Sequence, residues 1–486
     1  MSTIKRAVLF SVLTQHSVQF ISIISTAILA RLLSPEETGL FAVATSIAFL
    51  ATELRTFGAS EYIIREKDMS TPKIRSVLGV MIIMSWGIAF GLISGGSWFA
   101  DFYGKPELCY LIWIVSLPFF FAPYCSIPYS LLMRDLDFST TMKINVLGTL
   151  ARNLGSITLV SAGYSYYGLA WGTFIGVLVE FLAITYFRPK AMPWLPAFNG
   201  LKHVFRAGIQ ITLGRFLVTT SQNSNDLILG RMATMSDVGY FSRGMGVITL
   251  LQSLLTNAAN PVALPHLSRV KHTGGDVAQA YIQAVSLVGA ITLPVFAVVN
   301  LAAPYMVRAL FGDQWGSSGH AAAILAIWAM LQSVHCFAIH ALLSVSKERI
   351  FLIKETISLA IKAALMVLSI PYGLEYVAWG FVITGIFDFA FISLLLRAAI
   401  RLSISKLLVA FLPNAIVAVS CWGTLKIMCI YIDLDAMNHW LAIGLIGVAM
   451  VPVWLITLKL SGNKAWGIMQ DILTKIRQRL QPSHLT

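Results

Sequence analysis

Charge is what this chain has least of. Of its 486 residues only 12% are Asp, Glu, Lys or Arg, about half the share of an ordinary soluble domain, whereas 57% are apolar. A water-soluble enzyme needs a charged shell, and this composition does not supply one. The five cysteines, Cys109, Cys125, Cys336, Cys421 and Cys429, form no C-x-x-C pair and lie in or beside apolar runs. They read as buried free thiols, not as disulfides or metal ligands. The sequence contains no G-x-x-x-x-G-K-[ST], which argues against ATP hydrolysis by this chain. There is also no short apolar leader with a small-residue cut site. The first apolar run extends from Ala7 to about Leu33 behind Lys5 and Arg6, which is long enough to span a bilayer, so we expect it to be retained.

What the chain does have is apolar length. Fourteen stretches of spanning length fall near 9–30, 38–57, 76–98, 108–132, 139–161, 166–187, 205–229, 238–263, 277–300, 319–343, 350–370, 375–396, 407–430 and 439–458. The expected class is an all-α polytopic membrane protein. With the N-terminus in the cytoplasm, the outer loops hold only Arg31, Lys105, Arg231 and Arg308, and most of the 35 basic residues lie in the inner segments. That asymmetry predicts both termini inside. The formal net charge of +13 then sits beside anionic lipid, and nucleic acid is not an expected partner. After the last stretch, Trp466, Met469, Ile472, Leu473, Ile476 and Leu480 recur at helical spacing opposite Lys464, Lys475, Arg477 and Arg479. Residues 461–486 therefore read as a cytoplasmic amphipathic tail on the inner leaflet.

The chain repeats itself. A shift of 200 residues lays Arg31-Leu-Leu-Ser-Pro-Glu-Glu-Thr-Gly39-Leu-Phe41 over Arg231-Met-Ala-Thr-Met-Ser-Asp-Val-Gly239-Tyr-Phe241. Gly168-Leu-Ala-Trp-Gly172 likewise echoes Val377-Ala-Trp-Gly380. The expected organisation is an N-lobe over 1–200 (helices 1–6), a C-lobe over 201–402 (helices 7–12), and two further helices over 403–460. Six is even, so both copies enter the membrane in the same sense, as in parallel-repeat transporters whose substrate path lies between the lobes.

Several polar residues sit deep in apolar stretches. Thr212, Arg215, Thr219, Gln222 and Asp226 follow one another at steps of three and four, which predicts one polar face. Gln15, Gln19, Ser22 and Thr26 match its last four positions at the 200-residue shift. Arg152, Arg215 and Lys362 each lie about ten to thirteen residues from the inner border, or roughly 15 to 20 Å deep. Facing lipid, each would cost about 2.5–3.5 kcal/mol, so they are expected to face water or partners. They outnumber the mid-depth carboxylates Glu180 and Asp388, a positive excess suited to an anionic, phosphate-bearing substrate. The plainer alternative is that Glu180 and Asp388 neutralise these cations for purely structural ends. His16, His335 and His340 are proton-relay candidates, although a lone helical histidine is more often a packing residue. Glu53 and Arg55 read as a border pair, and Asn257 and Asn260, ahead of Pro261 and Pro265, as a broken helix end.

Three segments carry a family resemblance: Ile28-Leu-Ala-Arg-Leu-Leu-Ser-Pro-Glu-Glu-Thr-Gly39, Asn260-Pro through Pro265-His-Leu-Ser-Arg269, and Leu310-Phe-Gly-Asp-Gln-Trp315. Together they resemble the polysaccharide transporters of the multidrug/oligosaccharidyl-lipid/polysaccharide exporter superfamily, and in particular the Wzx-type oligosaccharide flippases. The resemblance implies a two-lobed fold of fourteen helices in a bacterial inner membrane. It implies movement of an undecaprenyl-diphosphate-linked oligosaccharide from the cytoplasmic to the periplasmic leaflet by alternating access, for O-antigen, capsule or exopolysaccharide synthesis. Membrane lipids, a polysaccharide polymerase and export machinery are the implied partners. No covalent chemistry and no cofactor are implied, and a proton or sodium gradient is left open as the driving force. By depth and face, the expected substrate-binding residues are Arg152, Arg215, Lys362, Gln15, Gln19 and Gln222, and the expected coupling or gating residues are Glu180, Asp388, Asp226 and His16. Drug-extruding relatives often use a carboxylate in span one, where this chain has His16 and none. The rival readings are a drug or cation antiporter of the same superfamily and a membrane-embedded polymerase or ligase. For the latter the outer loops offer only scattered acids such as Asp101, Glu107, Asp433 and Asp435.

Overall fold

Apolar runs of this length have one stable form away from water, the helix, because it satisfies its own backbone groups. The computed structural model, which describes residues 3–56, 59–66, 70–187, 192–198, 201–257 and 259–480, is helical almost throughout. The chain divides into two compact units, Met1–Ser242 and Arg243–Thr486. The helices up to the division are α1 (Thr3–Leu32), α2 (Pro35–Thr56), α3 (Ala59–Arg65), α4 (Thr71–Ser94), α5 (Gly96–Tyr103), α6 (Glu107–Ser116), α7 (Pro118–Arg134), α8 (Phe138–Leu159), α9 (Ser165–Tyr186), α10 (Leu201–Met232) and α11 (Met235–Thr256), within which the division falls. Beyond it lie α12 (Asn260–His272), α13 (Val277–Phe311), α14 (Gly316–Val334), α15 (Ala338–Ser344), α16 (Glu348–Ser369), α17 (Leu374–Ile400), α18 (Ile404–Tyr431), α19 (His439–Leu460) and α20 (Lys464–Leu480).

Among the described residues, nine helical stretches are long and apolar enough to cross a membrane, and the bent pair α11–α12 makes a tenth. The chain is therefore a multi-pass membrane protein. α16 carries Lys354, Glu355 and Lys362 along its length and falls outside that set. Two expected stretches are broken helices. Residues 108–132 become α6 and α7, which part where Pro118 has no N–H with which to continue the ladder. Residues 319–343 become α14 and α15, which part at His335.

Local chemistry places the ends. Ser34 and Glu37 form a reciprocal capping box at the start of α2: the Ser34 N–H donates to Glu37 Oε2 at 2.7 Å and the Glu37 N–H to Ser34 Oγ at 3.3 Å. Thr234 and Asp237 repeat it 200 residues on, at 3.2 and 3.1 Å. Between α8 and α9 the 49-residue apolar stretch Phe138–Tyr186 turns at Gly163, whose φ of 91° only glycine adopts without strain. The two helices then pack through Gly168, Gly172 and Gly176. A β-carbon at Gly172 would lie 2.6 Å from the Ser156 nitrogen, so the close approach depends on small residues.

The repeated motif also packs on itself. A β-carbon added at Gly39 would collide with the Met235 carbonyl, and one added at Gly239 with the Pro35 carbonyl. Residues 35 and 235 are 200 apart, as are 39 and 239, so the contact is reciprocal and lies wholly within Met1–Ser242.

In Arg243–Thr486, buried residues of α13, α18 and α19 form a core against which Trp466 and Met469 of α20 pack. The motif Leu310–Trp315 has a structural task here: the Arg243 guanidinium lies 5.5 Å from the Phe311 ring centre and 5.4 Å from that of Trp315, which is fully buried.

Candidate functional site

Glycines make room for the ionisable groups of the first unit. α9 presents Glu180 to α8 at the level of Gly148, where any β-carbon would strike the carboxylate side chain. A β-carbon at Gly176 would lie 2.7 Å from Arg152 Cβ. In that gap Arg152 Nη2 donates to Glu180 Oε1 at 3.1 Å. The pair is not sealed in protein: the side chains are 41% and 23% exposed, and both line a cavity of about 560 Å³. α2 contributes Arg55, Thr45 and Thr52 to its wall, and α7 contributes Phe119, Cys125 and Ser126.

Arg55 matters most. Its guanidinium lies 5.5 Å from the Phe119 ring centre, and its Nε and Nη1 are buried with no hydrogen-bond partner. Arg152 Nε is in the same position. The expected border pair with Glu53 is looser than an ion pair: Glu53 lies near enough to act on Arg55 through its charge, but among the described residues no contact within 4 Å joins them, and Glu53 Oε2 is itself unpartnered. Buried N–H donors without acceptors are costly, and the cavity lining itself sets two guanidiniums against one carboxylate. The cavity is therefore chemically prepared for an anion with several acceptor oxygens.

The second unit holds a related but closed cluster. The shift that lays Trp171-Gly172 on Trp379-Gly380 also lays Glu180 on Asp388. α8 and α16 are both 22 residues long, and each carries its cation, Arg152 or Lys362, at the fifteenth position. Where α8 has Gly148, α16 has Ser358, whose hydroxyl donates to Asp388 Oδ1. Gln332 Nε2 donates to Asp388 Oδ2 at 3.1 Å, and Lys354 Nζ lies 3.6 Å from Oδ1 and 3.0 Å from Glu355 Oε1. Lys362 is buried, with its ammonium 5.5 Å from the Phe381 ring centre. Two lysines face two carboxylates here, whereas the cavity lining of the first unit has two guanidiniums and one carboxylate.

The remaining expected residues are scattered. Asp226 of α10 is buried against α2, accepting from Ser46 Oγ at 3.0 Å and from Asn225 Nδ2 at 2.8 Å. Gln222 and Arg215 on the same helix are exposed, and Thr212 is buried. Gln19 of α1 is half-buried. The side chains of Gln15 and His16 lie outside the described residues. His335 serves packing: Nδ1 meets the Tyr281 hydroxyl and Nε2 the Ser393 hydroxyl, each at 2.9 Å. Sequence reasoning missed Lys354, whose place near the start of α16 reads as a loop charge. It also passed over Arg55 as a border residue, because Arg55 stands two residues from the expected end of its stretch and beside Glu53.

Known proteins share parts of this sequence and of this fold. Residues 28–320 match the model of a family described as polysaccharide biosynthesis protein. The chain is 24% identical over 332 residues to the succinoglycan biosynthesis transport protein ExoT of Rhizobium meliloti, a match covering 67% of this chain and 66% of that one. It is 24% identical over 327 residues to the lipopolysaccharide biosynthesis protein WzxC of Escherichia coli, covering 65% and 64%. The match thus spans just under two thirds of each relative's length. In fold it is similar to the lipid II flippase MurJ in an inward closed conformation, with a TM-score of 0.77, 14% identity, and coverage of 93% of this chain and 98% of that one. It is also similar to an inward-facing multidrug resistance MATE transporter, with a TM-score of 0.65, 19% identity, and coverage of 79% and 96%. Because the family model takes in more than half of the sequence, the chain belongs to the polysaccharide biosynthesis protein family.

Proposed function

We propose that this protein is a flippase that moves an undecaprenyl-diphosphate-linked oligosaccharide from the cytoplasmic to the periplasmic leaflet of a bacterial inner membrane by alternating access, supplying O-antigen, capsule or exopolysaccharide synthesis. The observation that carries this reading is the cavity of about 560 Å³ in which Arg55 and Arg152 outnumber Glu180 and hold buried, unpartnered N–H groups. Its volume suits a small ligand. It takes the diphosphate, while the prenyl tail stays in lipid. In the full proposal fourteen spans form two six-helix repeats over 1–200 and 201–402, followed by helices over 403–460 and a tail over 461–486, with both termini cytoplasmic. Arg215, Lys362, Gln15, Gln19 and Gln222 join the substrate path. Glu180, Asp388, Asp226 and His16 are the coupling or gating groups, and a polymerase with export machinery receives the product.

No bond is made or broken in this cycle. Glu180 holds Arg152 when substrate is absent and yields it to phosphate when substrate enters. The shared fold does not separate a flippase from a drug antiporter, since both MurJ and MATE structures match. The cationic lining of the cavity supports the flippase reading, because it repels organic cations.

The test is made in cells lacking their own flippase. A charge-assisted hydrogen bond is worth about 1.5–3 kcal/mol, so Arg55→Met and Arg152→Met should each slow export by roughly tenfold to a hundredfold and strand glycolipid in the inner leaflet. Normal surface polysaccharide from both variants at wild-type protein levels would overturn the reading. Drug resistance conferred by the wild type would favour the antiporter.

A further inference from the structure

A second cavity, of about 860 Å³, opens where α13, α18 and α20 meet. Its polar wall includes Gln279, Gln283, Ser405, Lys406 and Lys464, and among the described residues no carboxylate lines it. Lys406 is the third residue of α18, and Lys464 opens α20 four residues beyond the end of α19. Both thus lie at the membrane border that the loop charges assign to the cytoplasm. The apolar wall runs inward from there. Val409 and Pro413 stand about 4.5 and 10 Å deeper than Lys406 along α18, and Ile282 and Leu287 face the cavity from α13.

The site is built, not incidental. Asn463 is buried and donates through Nδ2 to Asn414 Oδ1, and Asn414, fully buried, donates to the Ser286 carbonyl at 2.8 Å. The Asn463 side chain also accepts from the Ala465 N–H at 3.0 Å, so the start of α20 is tied to α18 and α13. These bonds hold the two lysines over one opening. The acids at or in these helices closest in sequence to the lining lie outside it: Asp276 caps α13 by accepting from the Gln279 N–H at 3.0 Å, and Asp471 is exposed further along α20.

Cations at the border above an apolar slot are the complement of an anionic amphiphile. We propose that this cavity binds an anionic phospholipid of the inner leaflet, with the headgroup phosphate on Lys406, Lys464 and the Ser405 hydroxyl and an acyl chain along Val409 and Pro413. The occupied site ties α20 to the membrane and to the helices it packs on. A free phosphate ion would use the lysines and leave the slot unused. This inference rests on the membrane orientation and not on the flippase reading.

The test uses the purified full-length chain in detergent, with native mass spectrometry counting bound phosphatidylglycerol and phosphatidylethanolamine. Phosphatidylglycerol should be retained in preference. At about a factor of five per border lysine, Lys406→Gln and Lys464→Gln together should weaken it roughly thirty-fold, and each alone about five-fold. Lys459→Gln, at the same border but outside the lining, should change nothing, and Val409→Trp should displace the lipid with both lysines intact. Excess inorganic phosphate should leave the complex in place. Undiminished phosphatidylglycerol in the double variant, or displacement by inorganic phosphate, would overturn the proposal. Neither readout depends on glycolipid transport.

Discussion

Replacing Gly39 or Gly239 with alanine tests the self-packing of the repeated motif. Either new methyl group falls well inside the 3.0 Å floor for a β-carbon contact, and the obstacle in both cases is backbone carbonyl, which cannot swing aside. The α2 and α11 segments must therefore part by roughly an ångström, an overpacking cost of about 1–3 kcal/mol. Collisions with rigid backbone put that cost in the upper part of the range, about 2–3 kcal/mol, and alanine returns about 1 kcal/mol through its better helix propensity, which leaves each single variant about 1–2 kcal/mol less stable. Both collisions occur at one crossing, so a separation that relieves the first relieves most of the second. The double variant should then cost clearly less than the sum of the singles. Gly87 and Gly91 of α4 are the controls: nothing lies within 4 Å of a β-carbon at either, and alanine there should be neutral or stabilising. Unfolding of the purified protein in sodium dodecyl sulfate, followed by circular dichroism, reads all five proteins against wild type. Single variants within about 0.5 kcal/mol of wild type, or strict additivity in the double, would refute the reasoning.

Trp315 is fully buried beside the Arg243 guanidinium, so Trp315→Ala should cost about 3–5 kcal/mol in the same assay, and Trp315→Phe, which retains a ring for the cation, markedly less. Equal losses would show that volume alone matters there. His335→Ala strips the Tyr281 and Ser393 hydroxyls of a buried partner and should destabilise by about 1–3 kcal/mol, while the pH profile of glycolipid export keeps its shape. A displaced profile would reinstate His335 as a proton relay.

Much of the fold was legible because hydropathy and length are local properties. The expected stretches 38–57, 375–396 and 439–458 correspond to α2 (Pro35–Thr56), α17 (Leu374–Ile400) and α19 (His439–Leu460). The breaks were less legible, since proline is ambiguous in a membrane helix. Pro118 starts a new helix, whereas Pro294 and Pro304 lie inside the unbroken α13. The candidate site was legible in kind. Depth alone pointed to Arg152 and Glu180, which do pair, but gave Lys354 and Arg55 no special standing.

The sequence by itself determined that this is a multi-pass helical membrane protein, that it repeats the segment Arg31–Phe41 at Arg231–Phe241, and that it places more cations than acids deep in its apolar stretches. Each of these follows from residue type and spacing along one helix. Only the tertiary structure decided which charges are clasped and which face a cavity. Asp226 meets Ser46 across 180 residues, Asp388 is held from α14 and α16, and Arg55 is left with open donors beside Phe119. The reason is that a helix sets the period of its side chains but not its own rotation. Rotation is chosen by the packing of neighbours, here through close glycine contacts such as Gly39 with Met235 and Gly148 with Glu180.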